Sequence, residues 1–392
     1  MKYEIIVFSD EWNGLPFSCK HLLSHFIPDK TLIWVETIGL RSPRLNLYDV
    51  KRSIGRIKEW LNPQPKEEDP GLEELFILNP FQIPYNQFPF IRKVNKRFMT
   101  LTLGRFYKNH QGRAGYERVL ITTWPFTGNI VGCLDERLSI YYRVDDYSEF
   151  PGVCKGVIRR LEEELMRKVD MVVATSESLA QTGERSKEVK YLPHGVNFEH
   201  FSQKFSGHKK DLPVQSIPSP RIGFFGLIDS WVDFDLLAQV AEKHHEWSFV
   251  FIGPSQIPIS SLPRLHNMHF LGPVSYKELP RHAQHFDVGL IPFKVNELTK
   301  SVNPLKLMEY FSIGFPVVST PLPEVTKYRD HLFIASGPDA FCAAIQSALG
   351  QESQNGRDLR QDIARSHSWK HKSLTLRGWI EEALGKKQDA SN

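Results

Sequence analysis

The chain has 392 residues, more than one hydrophobic core usually serves, so two domains are expected. Hydrophobic residues at 41% and charged residues at 24% are ordinary for a globular protein. The 49 Lys and Arg against 45 Asp and Glu leave a net charge of +4, too small a surplus to point to nucleic acid. Cys19, Cys133, Cys154 and Cys342 are scattered without C-x-x-C spacing, which argues against zinc and against a disulfide framework, and no apolar run approaches the roughly 20 residues of a membrane span.

The start, Met1-Lys-Tyr-Glu, passes directly into a strand pattern with no signal peptide, so a cytoplasmic location is expected. Ile5 to Phe8 reads as a first strand, followed by a loop, Ser9 to Pro16, and a helix from about Phe17. Ligands of open α/β sheets bind outside the carboxyl ends of strands, and Gly14 in this loop lets a ligand approach the backbone closely; a plain Asn13-Gly14 turn is the competing reading. Further strands are expected at 32–35, 75–78, 119–122, 139–143, 171–174 and 189–192, with helices at 51–61 and 157–169 between some of them. This alternation predicts a parallel sheet covered on both faces. No G-x-G-x-x-G follows the first strand, which leaves a dinucleotide-dependent dehydrogenase unsupported.

Residues 90–110 form the most basic segment, with Arg92, Lys93, Lys96, Arg97, Arg105 and Lys108 interleaved with apolar residues. Phe98, Leu101 and Arg105 are expected on one side. Two readings are open: an amphipathic helix lying on an anionic membrane surface, and a surface helix packing its apolar stripe on the sheet. Asp145 and Asp146 follow the strand 139–143. They suit a base or hydroxyl-binding group, or a cap of the next helix.

The polar, proline-rich stretch 203–220 reads as a linker. A second alternating series begins at Arg221-Ile-Gly-Phe-Phe-Gly226, a strand, a glycine turn at Gly226 and a helix from about Asp233. Strands at 248–252, 268–271 and 288–291 follow. Gly253 and Val274 stand where strands end, so their backbone groups can read a base edge, and Pro292-Phe-Lys294 leads into the next motif. That motif, Ser301 to Thr320, predicts a helix capped by Asn303, with Pro304 at its first position and Gly314 after its last turn, then a buried strand. A helix N-terminus facing a loop is a phosphate site. Within it, Lys306 and Glu309 form a surface pair at i, i+3, or Lys306 meets a ligand phosphate and Glu309 accepts from ligand hydroxyls. Helices at 339–349 and 369–384 end the chain, with a frayed tail from Gly385.

Asn303-Pro-x-Lys306-x-x-Glu309-Tyr followed by Gly314-x-Pro-Val-Val resembles the donor-site signature of GT-B glycosyltransferases, especially family 4 and related bacterial envelope-polysaccharide (teichuronic-acid-type) enzymes. The resemblance implies two Rossmann-like domains with parallel sheets facing across a cleft. An acceptor-binding domain would occupy 1–202, a linker 203–220, a nucleotide-sugar domain 221–365, and a helix crossing back, with the tail, 366–392. It places Glu309 on the ribose hydroxyls, Gly226 against the donor diphosphate and His194 at the cleft. Ser301 stands where the family's E-x7-E pattern has its first glutamate, and the Arg and Lys usual after the glycine turn are absent; Lys294, Lys300 or Lys306 would substitute. The implied reaction is transfer of a sugar from a nucleotide diphosphate donor, UDP-type, to a saccharide or lipid-linked acceptor. The expected outcome is retaining, with no metal and no cofactor beyond the donor, at the inner face of the cytoplasmic membrane with peripheral contact through 90–110. The alternatives are a GT-B-shaped nucleotide-sugar epimerase and a catalytically silent nucleotide-sugar-binding module.

Overall fold

The computed structural model describes residues 2–14, 17–39, 74–110, 115–182, 189–205, 212–351 and 353–389. The chain divides into two compact units: Met1–Pro193 together with Ser373–Asn392, and His194–Lys372.

The first unit is built on seven strands: β1 (Tyr3–Ser9), β2 (Leu32–Glu36), β3 (Leu75–Leu78), β4 (Glu117–Thr122), β5 (Leu138–Arg143), β6 (Met171–Ala174) and β7 (Val189–Tyr191). They lie in the order β3-β2-β1-β4-β5-β6-β7, every named pair parallel. β1, β2 and β5 are buried from end to end, as a sheet covered on both faces requires. In register, Ile5 stands beside both Leu32 and Val119.

The second unit carries β8 (Arg221–Phe225), β9 (Ser248–Ile252), β10 (Met268–Gly272), β11 (Val288–Ile291), β12 (Val317–Ser319) and β13 (Phe333–Ile334). Their order is β10-β9-β8-β11-β12-β13, again parallel throughout. Sequential strands spread outward from β8 in one direction, then the order jumps to β11 and runs the other way. That reversal is a topological switch point, and the carboxyl ends of strands beside such a point are where open α/β sheets bind ligands. The two parallel sheets are the two Rossmann-like domains of the GT-B class expected from the sequence.

The strands at 75–78, 171–174, 248–252 and 288–291 agree with the expected bounds, and the others shift by a residue or two. Other expectations need correction. The helix of the donor motif spans Leu305–Ile313 with Pro304, not Asn303, at its N-cap. The basic helix, Pro89–Asn109, buries Asn95, Met99, Leu103 and Phe106; Phe98 and Leu101 stand outside. The final helix, Trp369–Asp389, continues well past Gly385. A helix at Gln354–Ser366 had no counterpart in the expected elements. The expected helix at 51–61 lies outside the described residues, as does 206–211 of the expected linker. Beyond that gap, Val214 and Ile217 are already buried in the second unit's core.

Candidate functional site

β8 ends at Phe225, and the chain turns at Gly226 with φ +128°, a conformation that L side chains rarely adopt. β9 turns in the same way at Gly253, φ +149°. The two turns abut: a Cβ on Gly253 would lie 1.9 Å from the Gly226 carbonyl oxygen. The residue types at both positions are therefore dictated by the backbone, and together they clear the carboxyl ends of two neighbouring strands.

Lys306 fills the space cleared above Gly226. A Cβ there would meet the Lys306 Cε at 2.4 Å and its Nζ at 2.5 Å. The ammonium also sits over two rings, 5.1 Å from the centroid of Phe224 in β8 and 5.5 Å from that of Phe293, just beyond β11. Lys306 thus straddles the switch point of the second sheet. Cation–π attraction holds the ammonium in place without neutralising it, and burial pushes its pKa below the ordinary lysine value.

Glu309 stands one turn further along the same helix. Burial raises its carboxyl to about 7, against the opposing effect of the Lys306 ammonium. Neither side chain forms a hydrogen bond or close ion pair with any described residue, so of the two readings the i, i+3 contact pair is not made. Their coupling is electrostatic only. A half-buried cation and a half-buried carboxylate without a polar partner both carry a desolvation cost that a ligand could relieve. Tyr276 lies near enough for the Glu309 charge to raise its hydroxyl pKa further, after burial, and its ring stacks on His200 at 4.4 Å. The helix is fixed from below by Tyr310, whose hydroxyl donates to the Leu290 carbonyl (3.2 Å) and accepts from the Phe225 amide (3.3 Å), joining it to both strands of the switch point.

The other second-unit candidates divide. Lys294 and Lys300 are exposed, and Lys300 pairs with Glu297 at 2.8 Å, so of the three lysines only Lys306 reaches the glycine turn. Ser301 is buried and closes the short helix Glu297–Lys300 as its C-cap. Asn303 is half-buried one residue before the N-cap, and Val274 packs partly against the core. His194 is buried with its Nδ1 unpartnered and its pKa pushed down to about 3 by burial and then by Lys372, so the ring is neutral at ordinary pH.

In the first unit, Asp146 is a cap: its Oδ1 accepts from the Ser148 amide (3.1 Å) and hydroxyl (2.6 Å) at the start of the turn Tyr147–Glu149. Asp145 makes no such bond. Burial, then the charge of Asp146, raises its carboxyl to about 7. The preceding strand is anchored by the buried Arg143–Glu162 pair (2.7 Å), with the Tyr141 hydroxyl donating to the same carboxylate (2.7 Å), which fixes where β5 delivers Asp145. Gly14 is a turn residue, its amide donating to the Glu11 carbonyl at 3.0 Å. Sequence reasoning missed Phe224, Phe293 and Tyr276. Each looks like an ordinary core or loop aromatic, and only the fold brings them to Lys306 and Glu309. Among the described residues no group of three or more His, Cys, Asp or Glu side chains gathers as a metal site.

Residues 219–351 match the family described as glycosyl transferases group 1. The curated relative named "putative teichuronic acid biosynthesis glycosyltransferase TuaH" of Bacillus subtilis (strain 168) is 29% identical over 55% of this chain and 57% of its own, so the match spans little more than half of that relative. Among solved structures, the alpha,alpha-trehalose 6-phosphate synthase of Burkholderia multivorans superposes with a TM-score of 0.64 at 10% identity, covering 100% of both chains. A trehalose-6-phosphate structure from E. coli bound with UDP-2-fluoro glucose gives 0.60 at 12% identity, covering 97% of this chain and 99% of that one. At such identities these likenesses establish the fold alone.

Proposed function

From a chain of GT-B fold whose second unit is a glycosyl transferases group 1 domain, we propose that this protein transfers a sugar from a nucleotide diphosphate donor to an acceptor hydroxyl in the synthesis of a bacterial cell-surface polysaccharide or glycolipid. The observation that carries the reading is the half-buried pair Lys306 and Glu309 at the switch point of the second sheet, neither of which has a hydrogen-bond or ion-pair partner among the described residues. A nucleoside diphosphate supplies what each lacks: phosphate oxygens for the ammonium, ribose hydroxyls for the carboxylate. The cell-surface role rests on the likeness to the teichuronic acid relative.

In this scheme the bond between the sugar's anomeric carbon and the diphosphate oxygen breaks, and negative charge collects on the leaving diphosphate. Lys306 and the amides at the start of helix Leu305–Ile313 stabilise that charge from fixed positions, so the leaving group needs no metal. Within the first unit, Asp145, its carboxyl raised by burial and then by Asp146, is the candidate to hold an acceptor hydroxyl. Retention of the anomeric configuration is the outcome expected from the family 4 resemblance; under retention a departing phosphate oxygen takes the hydroxyl proton.

The test is calorimetric titration of UDP into the wild-type protein and Glu309→Gln. Each charge-assisted bond to a ribose hydroxyl contributes about 1.5–3 kcal/mol, so loss of the charge lowers affinity roughly ten- to a hundredfold while the fold survives. Equal affinity in two folded proteins removes Glu309 from the site.

A further inference from the structure

From Leu75 to Tyr116 the chain has no Asp or Glu and seven Lys or Arg. The structure gives this charge asymmetry a face. Helix Pro89–Asn109 buries Asn95, Met99, Leu103 and Phe106 along one side. At helical spacing, the opposite side carries Phe90, Lys93, Arg97, Leu101, Arg105 and Lys108, all exposed. None of these four cations makes an ion pair or hydrogen bond with a described residue.

The apolar members of that face are large. Phe90 is 75% exposed and Leu101 48%. Phe88, in the loop that enters the helix, is 54% exposed and Tyr85 40%, while Phe98 stacks edge-on against Phe81 at 5.1 Å on the flank. A soluble surface scatters such side chains singly; this many within one loop and helix make a patch that calls for a partner. Aromatic rings beside unpaired Lys and Arg, on a segment that carries no acid of its own, match the chemistry of a bilayer interface. The rings settle at headgroup depth, and the cations meet anionic phosphates.

We propose that the outer face of helix Pro89–Asn109 and its entry loop dock the first unit on an anionic lipid surface, with Phe88, Phe90 and Leu101 inserted and Lys93, Arg97, Arg105 and Lys108 on the headgroups. This goes beyond the basic-helix pattern of the sequence in naming the inserted residues. It is independent of the donor site and does not rest on the sugar-transfer reading.

The test is co-sedimentation of the full chain with vesicles of phosphatidylcholine alone and with 30 mol% phosphatidylglycerol, at about 0.05 and 0.5 M salt. Two variants separate the contributions. Phe88→Ser/Phe90→Ser/Leu101→Ser removes the apolar insertion, and Lys93→Gln/Arg97→Gln removes two charges. All five residues are exposed, so folding, checked by circular dichroism and UDP binding, is unaffected. The expected result is binding to the anionic vesicles only, lowered roughly tenfold or more by each variant and weakened by salt. No binding to anionic vesicles, binding insensitive to both variants, dimerisation abolished by the Ser variant, or tighter binding to a single-stranded oligonucleotide than to lipid would overturn the proposal. Loss of UDP binding in the wild type would instead remove the donor site and leave this face untouched.

Discussion

At the scale of single residues, Glu309 and Asp145 share one physical condition. Each carboxyl is raised to about 7 by burial, so each is protonated below that pH and ionised above it. A raised carboxyl favours the folded state at low pH and loses that contribution as pH rises toward and through 7. Glu309→Gln should therefore lose less thermal stability than the wild type between pH 5.5 and 8. The affinity ratio of wild type to variant for UDP should grow as pH rises through about 7, because only the ionised carboxylate accepts two hydroxyls well. Titration of both proteins at several pH values checks this, and the ionisation of UDP itself cancels in the ratio. In the proposed role Asp145 acts on the acceptor alone. Asp145→Asn should lower turnover on the order of a hundredfold, in line with the loss of one positioned carboxylate, and leave UDP affinity unchanged. In the wild type, turnover should fall below pH about 7. A variant that lost donor affinity together with turnover would move Asp145 out of the acceptor role.

At the scale of elements, helix Leu305–Ile313 depends on a helix the sequence did not announce. Gly314 ends Leu305–Ile313 in the left-handed region, φ +94°. Arg360, from helix Gln354–Ser366, donates to the Gly314 carbonyl at 2.9 and 3.2 Å, and Gln361 donates to the Ser312 carbonyl at 3.0 Å. Arg360→Met leaves the buried Gly314 carbonyl unpaired, so a loss of about 1–3 kcal/mol of stability is expected, measured by chemical denaturation. The glycine stop was legible because only a residue without Cβ suits that φ. Strands were legible for the same kind of reason: a covered parallel strand needs an unbroken apolar run, and β6, β9 and β11 have one. Helix Gln354–Ser366 was not, since it buries only Arg360 and Ala364 and offers no apolar stripe to read. Which side of the basic helix packs inward was not legible for a related reason. Its packed side includes Asn95, whose amide donates to the Ile83 carbonyl and whose oxygen accepts from the Ile83 amide, both at 2.8 Å. A polar residue chosen to satisfy backbone groups hides the packed side, while exposed Phe98 and Leu101 counterfeit it. In the candidate site, Lys306 and Glu309 stood out through their motif; the rings around them come from distant strands and loops and leave no local trace.

At the scale of the whole molecule, the last helix decides how the first unit holds together. Residues from Ser373 onward belong to the first unit, where Leu376, Ile380 and Leu384 are buried and Arg377 and Lys387 pair with Asp29 and Asp170, each at 2.6 Å. Burying three such side chains contributes about 1.5–3 kcal/mol each, together comparable with the whole stability of a domain. A chain ending at Lys372 should therefore lose the cooperative unfolding of its first unit, seen as a missing thermal transition in calorimetry. The same arrangement has a consequence for the protein's birth on the ribosome. The first unit begins synthesis first, yet its closing helix emerges only after the 179 residues from His194 to Lys372 have been made, about ten to forty seconds later at bacterial and eukaryotic elongation rates. The second unit, contiguous in sequence, is complete before the first can be. The nascent seven-stranded sheet waits for its final piece during that interval, so for this chain the order of emergence and the order of completion are reversed.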